Sequence, residues 1–277
     1  MTIAITGATG QLGRLAVEAV KARGGDAIAL VRDPSKADAG VTARAFDYTK
    51  PEVMAESLKG VTTLALISSN DFNDRVGQHK AVIDAAKAAG VKHIVYTSIL
   101  KGHASPLALA TDHKGTETYL AGSGIPHTVL RNGWYTENYT GSLAGSVAHG
   151  AMMGSMGTGQ IATAARKDYA EAIAAVVLDP AKQGKVYELA GDAAYSMHDM
   201  AALVSAKAGK TIAYHSLPPA DYAKAPEGFG LPAGLASALA DSDDHASRGA
   251  LTDRSMTLSK LIGRPTTPMA DTVAEVF

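Results

Sequence analysis

Short apolar runs alternate with segments of helical periodicity through the first half of the chain. The apolar runs predict six strands, at residues 3–5, 27–31, 41–46, 63–67, 93–97 and 128–130. The segments between them predict helices at residues 11–23, 51–58, 75–89 and roughly 112–121. Strands that alternate with helices pair in parallel through right-handed crossovers and are buried on both faces. The pattern therefore predicts an α/β fold built on a doubly wound parallel sheet.

The second half of the chain is less regular. Helices are predicted at residues 168–178 and 197–208, and strands at residues 185–190 and 211–215. Ser196 is suited to cap the start of the second helix, and Gly209 to end it. The glycines at 154, 157 and 159 predict an interruption, and a loop-rich stretch follows Leu217 and contains Pro226 and Pro232. Residues 241–245 are read as a solvated loop.

A glycine-rich turn follows the first apolar run and opens the first predicted helix. Its glycines are Gly7, Gly10 and Gly13, in the spacing G-x-x-G-x-x-G. Strand, glycine turn and helix together are the context of a Rossmann-type dinucleotide site, in which the helix N-terminus faces the pyrophosphate. An ordinary glycine turn is the alternative. Residues 1–132 are accordingly predicted as the dinucleotide-binding domain, with residues 157–190 returning to it, and residues 133–156 and 191–277 as a smaller C-terminal substrate lobe.

Composition narrows the function. The chain has 26 Lys and Arg against 27 Asp and Glu, so neither nucleic acid nor an acidic membrane is an expected partner. It has no cysteine, which excludes disulfides and thiolate catalysis. The N-terminus has no basic leader, and no apolar run approaches about 18 residues, so a cytoplasmic protein is expected. A homodimer is compatible with these observations.

The end of the second strand bears on the choice of cofactor. Arg32 lies 19 residues after Gly13, where an acid would hold the ribose 2′-hydroxyl of NAD. A guanidinium there matches the 2′-phosphate of NADPH, and Lys36 adds a second positive charge. Asp33 is the competing residue, because it could serve the hydroxyl instead. The sequence favours NADPH.

Polar residues end the next two strands. Asp47 and Tyr48 follow the third strand, where they either frame the adenine or form a simple strand-end turn. Ser68 and Ser69 follow the fourth strand, and their small side chains are expected beside the ribose and nicotinamide.

Six segments of the chain resemble the NmrA-like atypical short-chain dehydrogenases. They are ITGATGQLG at 5–13, LVR at 30–32, LISS at 66–69, AAKAAGVK at 85–92, LRNGWYTENY at 130–139 and KLIGRP at 260–265. The last two are similar to the bacterial NADPH:quinone oxidoreductase branch and its relative triphenylmethane reductase. The resemblance covers nearly the whole chain. It implies a Rossmann domain, a small C-terminal lobe, and NADPH as a flavin-free hydride donor to a quinone or similar planar acceptor.

The same resemblance implies roles for individual residues. Arg32 would hold the 2′-phosphate, and Arg166 would close the pocket. The pyrophosphate would be held by Gly7, Ala8, Thr9, Gly10, Gln11, Leu12 and Gly13. The nicotinamide end and the substrate mouth would be lined by Asn132, Gly133, Trp134, Tyr135, Thr136 and Glu137.

The acid of ordinary short-chain dehydrogenases is missing. Those enzymes use Tyr-x-x-x-Lys on the helix after the fifth strand, and alignment on Glu117 leaves His113 at the lysine position and Leu109 at the tyrosine position. A ketone needs that acid because its reduction creates a basic alkoxide. A quinone yields a phenolate-like oxygen whose conjugate acid has a pKa of roughly 10. The absence therefore favours quinones, with His113 either bonding the ribose or substrate or having no catalytic role.

An aromatic cluster follows the sixth strand. It is predicted either to form a flat wall for a planar acceptor or to pack in the core, and its members with their polar neighbour are Trp134, Tyr135, Asn138 and Tyr139. The catalytic candidates are His113, Asn132 and Tyr135. The histidines show no metal-ligand spacing, so no metal is expected. An NADP(H)-binding redox sensor of the NmrA type is the rival hypothesis, and a sugar-nucleotide epimerase is disfavoured because it needs the missing tyrosine.

Overall fold

Residues 1–71, 73–224 and 233–277 are described by the computed structural model, and they divide into two units. Unit 1 comprises residues 1–102, 112–132 and 166–188. Unit 2 comprises residues 103–111, 133–165 and 189–277. The sequence predicts residues 1–132 and 157–190 for the first domain. Unit 1 leaves out residues 103–111 of that prediction, and its last segment spans residues 166–188.

Unit 1 contains a seven-stranded sheet. Its strands are β1 (Ile3–Thr6), β2 (Ala27–Val31), β3 (Ala43–Ala45), β4 (Thr63–Leu66), β5 (His93–Ile99), β6 (His127–Asn132) and β8 (Val186–Leu189), with β7 described below. Their order is β3-β2-β1-β4-β5-β6-β8. The first six pair in parallel, with Ile3 opposite both Ala27 and Thr63. The order reverses between β1 and β4, as in a doubly wound sheet.

Helices cover both faces of this sheet. They are α1 (Gln11–Ala22), α2 (Pro51–Ser57), α3 (Arg75–Ala88), α4 (Ala110–Gly122) and α7 (Arg166–Val177). Helices α1 and α7 pack against each other on one face, and α2 and α3 pack together on the other. The strands between them are apolar on both faces, with Ile5, Leu64 and Ile94 all fully buried. The predicted α/β doubly wound fold is confirmed.

Unit 2 is mostly helical. Its two strands, β7 (Ala151–Gly154) and β9 (Ala213–Ser216), pair in parallel. Its helices are α5 (Glu137–Thr140), α6 (Leu143–His149), α8 (Met197–Ala208), α9 (Pro219–Tyr222), α10 (Ala233–Ser247), α11 (Thr257–Ile262) and α12 (Met269–Ala274). The predicted cap of α8 is confirmed, because the Ser196 hydroxyl accepts from the Asp199 N–H and Gly209 ends the helix with φ +66°.

Unit 2 also corrects three predictions. The predicted interruption at Gly154 is instead the end of strand β7, which the sequence conceals because its partner β9 lies about 60 residues away. The loop predicted after Leu217 contains the short helix α9. Residues 241–245 lie in helix α10 rather than in a solvated loop, and Asp243 there is buried. Pro226 and Pro232 lie outside the described residues.

Candidate functional site

The glycine turn in unit 1 has the geometry that a phosphate cradle requires. Gly7 has φ +59°, in the left-handed region that favours glycine, and its carbonyl oxygen accepts from the Gly10 N–H at 2.8 Å. The first backbone bond of α1 runs from the Arg14 N–H to the Gly10 carbonyl oxygen at 3.0 Å. The N–H groups of the first helical residues, from Gln11 onward, therefore have no partner inside the helix. These donors and the helix dipole suit an anion.

Not every residue of this turn presents its side chain to a ligand. Thr9, Gly10 and Gln11 are exposed, whereas Ala8 and Leu12 are buried. Ala8 and Leu12 can serve a phosphate only through their backbone. Gly13 is needed for packing, because the turn passes directly against the first residues of the helix.

The two competing residues at the end of β2 have different surroundings. Asp33 caps a short turn, where its Oδ1 accepts from the Ser35 N–H at 3.0 Å and the Ser35 hydroxyl at 2.7 Å. These bonds lower the pKa of Asp33 below its usual value. Arg32 is exposed, and its positive charge lies near Asp47, where it is the weakest of the causes that lower the pKa of that carboxyl, after the hydrogen bonds of Thr49 and the charge of Lys50. The guanidinium is thus available to a ligand, while one oxygen of Asp33 already has two donors.

The polar side chains after β3 also form hydrogen bonds within the protein. Asp47 Oδ1 accepts from the Thr49 N–H at 3.0 Å and from the Thr49 hydroxyl at 2.8 Å, which is the strand-end turn foreseen as one alternative. The Tyr48 hydroxyl lies 2.6 Å from Thr6 Oγ1 and 2.7 Å from the Ile67 carbonyl oxygen. This hydroxyl joins the ends of β1 and β4, so only the ring of Tyr48 could contact an adenine.

The two serines after β4 differ in burial and in hydrogen bonding. Ser69 is buried, and its hydroxyl donates to Gln78 Oε1 at 2.7 Å. Its carbonyl oxygen accepts from Arg75 Nε at 2.6 Å. The Ser69 side chain therefore organises the loop between β4 and α3. Ser68 is only partly buried, and its N–H donates to Thr97 Oγ1 at 2.9 Å.

A buried pair of histidines lies beside this loop. His79 accepts from the Ser69 N–H at Nε2, 2.9 Å away, so its other nitrogen Nδ1 carries the proton and donates to Thr116 Oγ1 at 2.9 Å. His113 on α4 has its Nδ1 2.8 Å from the hydroxyl of Tyr96, which is fully buried in β5. The rings of His79 and Tyr96 meet edge to face, with centroids 5.4 Å apart.

The electrostatics of this region keep both histidines neutral. Burial and the nearby Arg75 guanidinium lower the pKa of His79 to about 3. Burial, Arg75 and His79 lower the pKa of His113 to about 3 as well. Arg75 is itself buried and pairs with Asp112 at 3.5 Å. Burial raises the pKa of Tyr96 above its usual value. Neither histidine becomes charged near neutral pH.

The helix that carries His113 holds no substitute for the missing tyrosine acid. Tyr119 donates its hydroxyl to Asp84 at 2.7 Å on the outer side of α4. Glu117 accepts from Arg131 at both oxygens, 3.0 Å from Nε and 2.6 Å from Nη2, while Arg131 Nη1 lies 2.8 Å from Glu188. No local sequence pattern predicts this ion cluster, because its members come from α4, β6 and β8.

The segment after β6 was predicted to line the nicotinamide end and the acceptor site. Asn132 ends β6 and is buried, as is Gly133. In unit 2, Trp134 is 7% exposed, and its carbonyl oxygen accepts from the Ala164 N–H. Thr136 is fully buried against Thr163 at 2.7 Å. Partial exposure remains at Tyr135, Glu137 and Asn138.

Tyr139 packs into unit 2 rather than presenting its hydroxyl to a ligand. Its hydroxyl donates to Asp243 Oδ1 at 3.1 Å, and Oδ2 of the same carboxylate accepts from the Ser155 N–H at 2.9 Å. Burial raises the pKa of Asp243 to about 6. Tyr139 is therefore a core residue, the second of the two alternatives foreseen for it. Sequence reasoning missed Asp243 because it assigned that stretch to a solvated loop.

Three further observations concern Arg166, metal binding and membrane-spanning helices. Arg166 is the first residue of α7, half-buried, whereas the sequence placed it just before that helix. In the described residues no group of three His, Asp or Glu side chains could hold a metal ion. Across the same part of the chain, no helix combines the length and apolarity needed to cross a membrane.

Known proteins are similar to this chain over nearly its whole length. Quinone oxidoreductase 2 of Escherichia coli (strain K12) is 50% identical over 281 residues, covering 99% of this chain and 98% of that protein. NAD(P)H azoreductase of Xenophilus azovorans is 27% identical, covering 97% of this chain and 96% of that one.

Solved structures are similar over the whole length. The NADPH-dependent quinone oxidoreductase of Escherichia coli complexed with NADPH has a TM-score of 0.96 at 49% identity, with all of both chains covered. The triphenylmethane reductase of Citrobacter sp. complexed with NADP(H) has a TM-score of 0.93 at 32% identity, again covering both chains completely. The NmrA-like family model matches residues 1–257. The resemblance seen in the sequence is thereby confirmed, and the chain belongs to the NmrA-like family.

Proposed function

We propose that this protein is an NADPH-dependent quinone oxidoreductase that passes hydride to a quinone or similar planar acceptor without a flavin. The observation that carries the proposal is 50% identity to a quinone oxidoreductase over 99% of this chain. The structural match to the NADPH complex of such an enzyme, at a TM-score of 0.96, supports the choice of cofactor.

Unit 1 would hold the cofactor. The exposed backbone at Thr9, Gly10 and Gln11 and the unpaired N–H groups at the start of α1 fit a pyrophosphate. Ala8, Leu12, Gly7 and Gly13 would shape that cradle. The exposed Arg32 guanidinium would clamp the 2′-phosphate with parallel hydrogen bonds.

The rest of the cofactor site would follow the carboxyl ends of the strands. Asp47, through its second oxygen, and the ring of Tyr48 would face the adenine. Ser68 would lie beside the ribose, with Ser69 supporting the loop from within. Asn132 and His113 would serve the nicotinamide end, where bound NADPH supplies the hydride.

No side chain needs to act as a strong acid. Reduction of a quinone leaves a phenolate-type oxygen, whose conjugate acid has a pKa of roughly 10, so water can supply the proton. The neutral His113 would donate a hydrogen bond and not a proton. Binding and orientation of the acceptor would therefore supply most of the catalysis.

Unit 2 contains the segment that the resemblance assigns to the acceptor. Tyr135 and Asn138 keep partial exposure and would contact a planar ring directly. Trp134 and Tyr139 are buried and would support them from behind. Gly133, Thr136 and Glu137 would complete the segment.

The redox-sensor hypothesis receives less support. The NmrA structure matches at a TM-score of 0.79 with 20% identity, which reports the fold alone. The decisive assay mixes the purified protein with NADPH and a small benzoquinone, with no added flavin, and follows the absorbance of the reduced nicotinamide. We expect protein-dependent oxidation. If the protein binds NADPH but oxidises it with none of several quinones and dyes, the redox-sensor hypothesis replaces the quinone oxidoreductase hypothesis.

A further inference from the structure

The buried hydrogen bond between Tyr96 and His113 in unit 1 plays no part in the proposed reaction. The Tyr96 hydroxyl lies 2.8 Å from Nδ1 of His113, and both side chains are buried, at 0% and 9% exposure. Tyr96 itself cannot reach a ligand because β5 encloses it. Its hydroxyl contacts the imidazole of His113, and the hydroxyls of Thr116 and Ser68 also lie near it.

The direction of this hydrogen bond follows from the acidities of the two groups. A phenol has a pKa near 10 and is a good donor, whereas a neutral imidazole offers one basic nitrogen that accepts. These acidities favour Tyr96 as the donor and His113 Nδ1 as the acceptor. The ring proton of the neutral imidazole must then be on Nε2.

The second ring nitrogen of His113, Nε2, is not fully enclosed. Within residues 1–71, 73–224 and 233–277, His113 Nε2 has no hydrogen-bond partner, and it is absent from the buried polar atoms that lack one. A fully enclosed N–H without a partner would cost about 1–3 kcal/mol. An N–H that is not fully enclosed and has no partner in the described part of the protein is available to a ligand.

The surroundings of the His113 imidazole keep it neutral. The groups that face the two rings are Arg75 and His79 from α3, Tyr96 from β5, Ser68 after β4, and Asp112, Thr116 and Glu117 from α4. Burial lowers the pKa of His113 most, and the positive charge of Arg75, the one cation among these groups, lowers it further. The imidazole is thereby held neutral, and only its tautomer remains to be fixed.

We propose that Tyr96 is a positioning residue that holds His113 as the Nε2–H tautomer, so that His113 offers NADPH a permanent hydrogen-bond donor at the nicotinamide end. This inference rests on the proposed cofactor site. It assigns to a neutral donor the place where ordinary short-chain dehydrogenases have a charged lysine.

The first test needs no cofactor. In protein labelled with ¹⁵N at histidine, long-range ¹H–¹⁵N correlation spectra report which ring nitrogen carries the proton, and the His113→Gln variant assigns the signal. We expect His113 to carry its proton on Nε2, unchanged from about pH 5 to about pH 8. In Tyr96→Phe the Nδ1 signal should shift as its donor is lost. A proton on Nδ1 in the wild type, or an Nδ1 signal unmoved in Tyr96→Phe, would overturn the assignment.

The second test measures NADPH binding by fluorescence titration. Tyr96→Phe should weaken binding by about threefold to tenfold, the effect of losing one hydrogen bond. The matched control is Tyr119→Phe, which removes the hydroxyl bonded to Asp84 and should leave affinity unchanged. An affinity in Tyr96→Phe equal to that of the control contradicts the proposal.

A third comparison stands if Tyr96→Phe fails to fold. The amide nitrogen of glutamine lies near the position of Nε2, and that of asparagine near Nδ1. His113→Gln should therefore retain more NADPH affinity than His113→Asn, and equal losses would refute the donor role. Because none of these measurements requires a quinone, a failed oxidation assay would reject the proposed activity and leave this inference to its own tests.

Discussion

A Cβ added to Gly13 would lie 2.2 Å from the carbonyl oxygen of Gly7. Both groups belong to fixed backbone, so α1 would have to move away from the turn. We expect Gly13→Ala to cost about 1–3 kcal/mol of unfolding free energy and to weaken NADPH binding. Denaturant titration and fluorescence binding measure the two effects.

Gly122 provides the control for this change. It lies in α4 of the same unit, and a Cβ there would meet nothing within 4 Å. Gly122→Ala should leave stability equal or slightly higher, because alanine is the better helix former. Full NADPH affinity in Gly13→Ala would show that the turn does not need its close approach.

Arg32 should determine the preference between the two nicotinamide cofactors. Its guanidinium is exposed, and the nearby Asp47 keeps its two hydrogen bonds from Thr49 when Arg32 is removed. Arg32→Ala should weaken NADPH by about tenfold to a hundredfold, because charge-assisted bonds to the 2′-phosphate contribute about 1.5–3 kcal/mol. NADH lacks that phosphate and should be affected little.

The comparison variant is Arg248→Ala, which removes an exposed arginine paired with Asp244 in unit 2. It should change neither affinity. If Arg32→Ala weakens NADH and NADPH equally, the residue supports the fold of the strand end and does not recognise the phosphate.

The Arg131 ion cluster should contribute to the stability of unit 1. Arg131 donates to both oxygens of the buried Glu117 and also pairs with Glu188. Arg131→Met leaves two carboxylates without their cation, and we expect a loss of about 3 kcal/mol in unfolding free energy. Arg131→Lys should recover only part of it, because an ammonium cannot form the forked contact. A loss as small as that caused by Arg248→Met at the exposed pair with Asp244 would contradict this account.

Asp243 should make the stability of the protein depend on pH in a defined direction. Burial raises the pKa of Asp243 to about 6, above the roughly 3.9 of an unfolded aspartate. Between these values the native state binds more protons than the unfolded state, so stability falls as pH rises. The cost of the buried charge is fully present above the native pKa and is relieved as pH falls toward 4.

Asp243→Asn removes this cost. The unfolding free energy of the variant relative to wild type should rise by on the order of 2–3 kcal/mol from about pH 4 to about pH 7.5. Asp244→Asn is the matched variant on the same helix, where Arg248 lowers the pKa of the carboxyl, so a small dependence of the opposite sign is expected. Parallel curves for Asp243→Asn and wild type would mean that Asp243 stays charged throughout.

Local patterns in the sequence determined the order of elements and the cofactor motif. The strand ending at Thr6, the turn at Gly7 and the helix starting at Gln11 are neighbours in the chain, so spacing and glycine chemistry suffice to predict them. The same holds for the cap at Ser196 and for the exposed arginine after β2. Interactions within a few residues leave a readable signal.

Only the tertiary structure decided which polar residues face a ligand and which hold the fold. Ser69 and Tyr48 look like site residues in sequence, yet their hydroxyls bond to the chain itself. Tyr96 approaches His113 across 17 residues, and Tyr139 approaches Asp243 across 104. Such pairs depend on how strands and helices pack, because a side chain's partner is chosen by position in space, which periodicity along the chain does not encode.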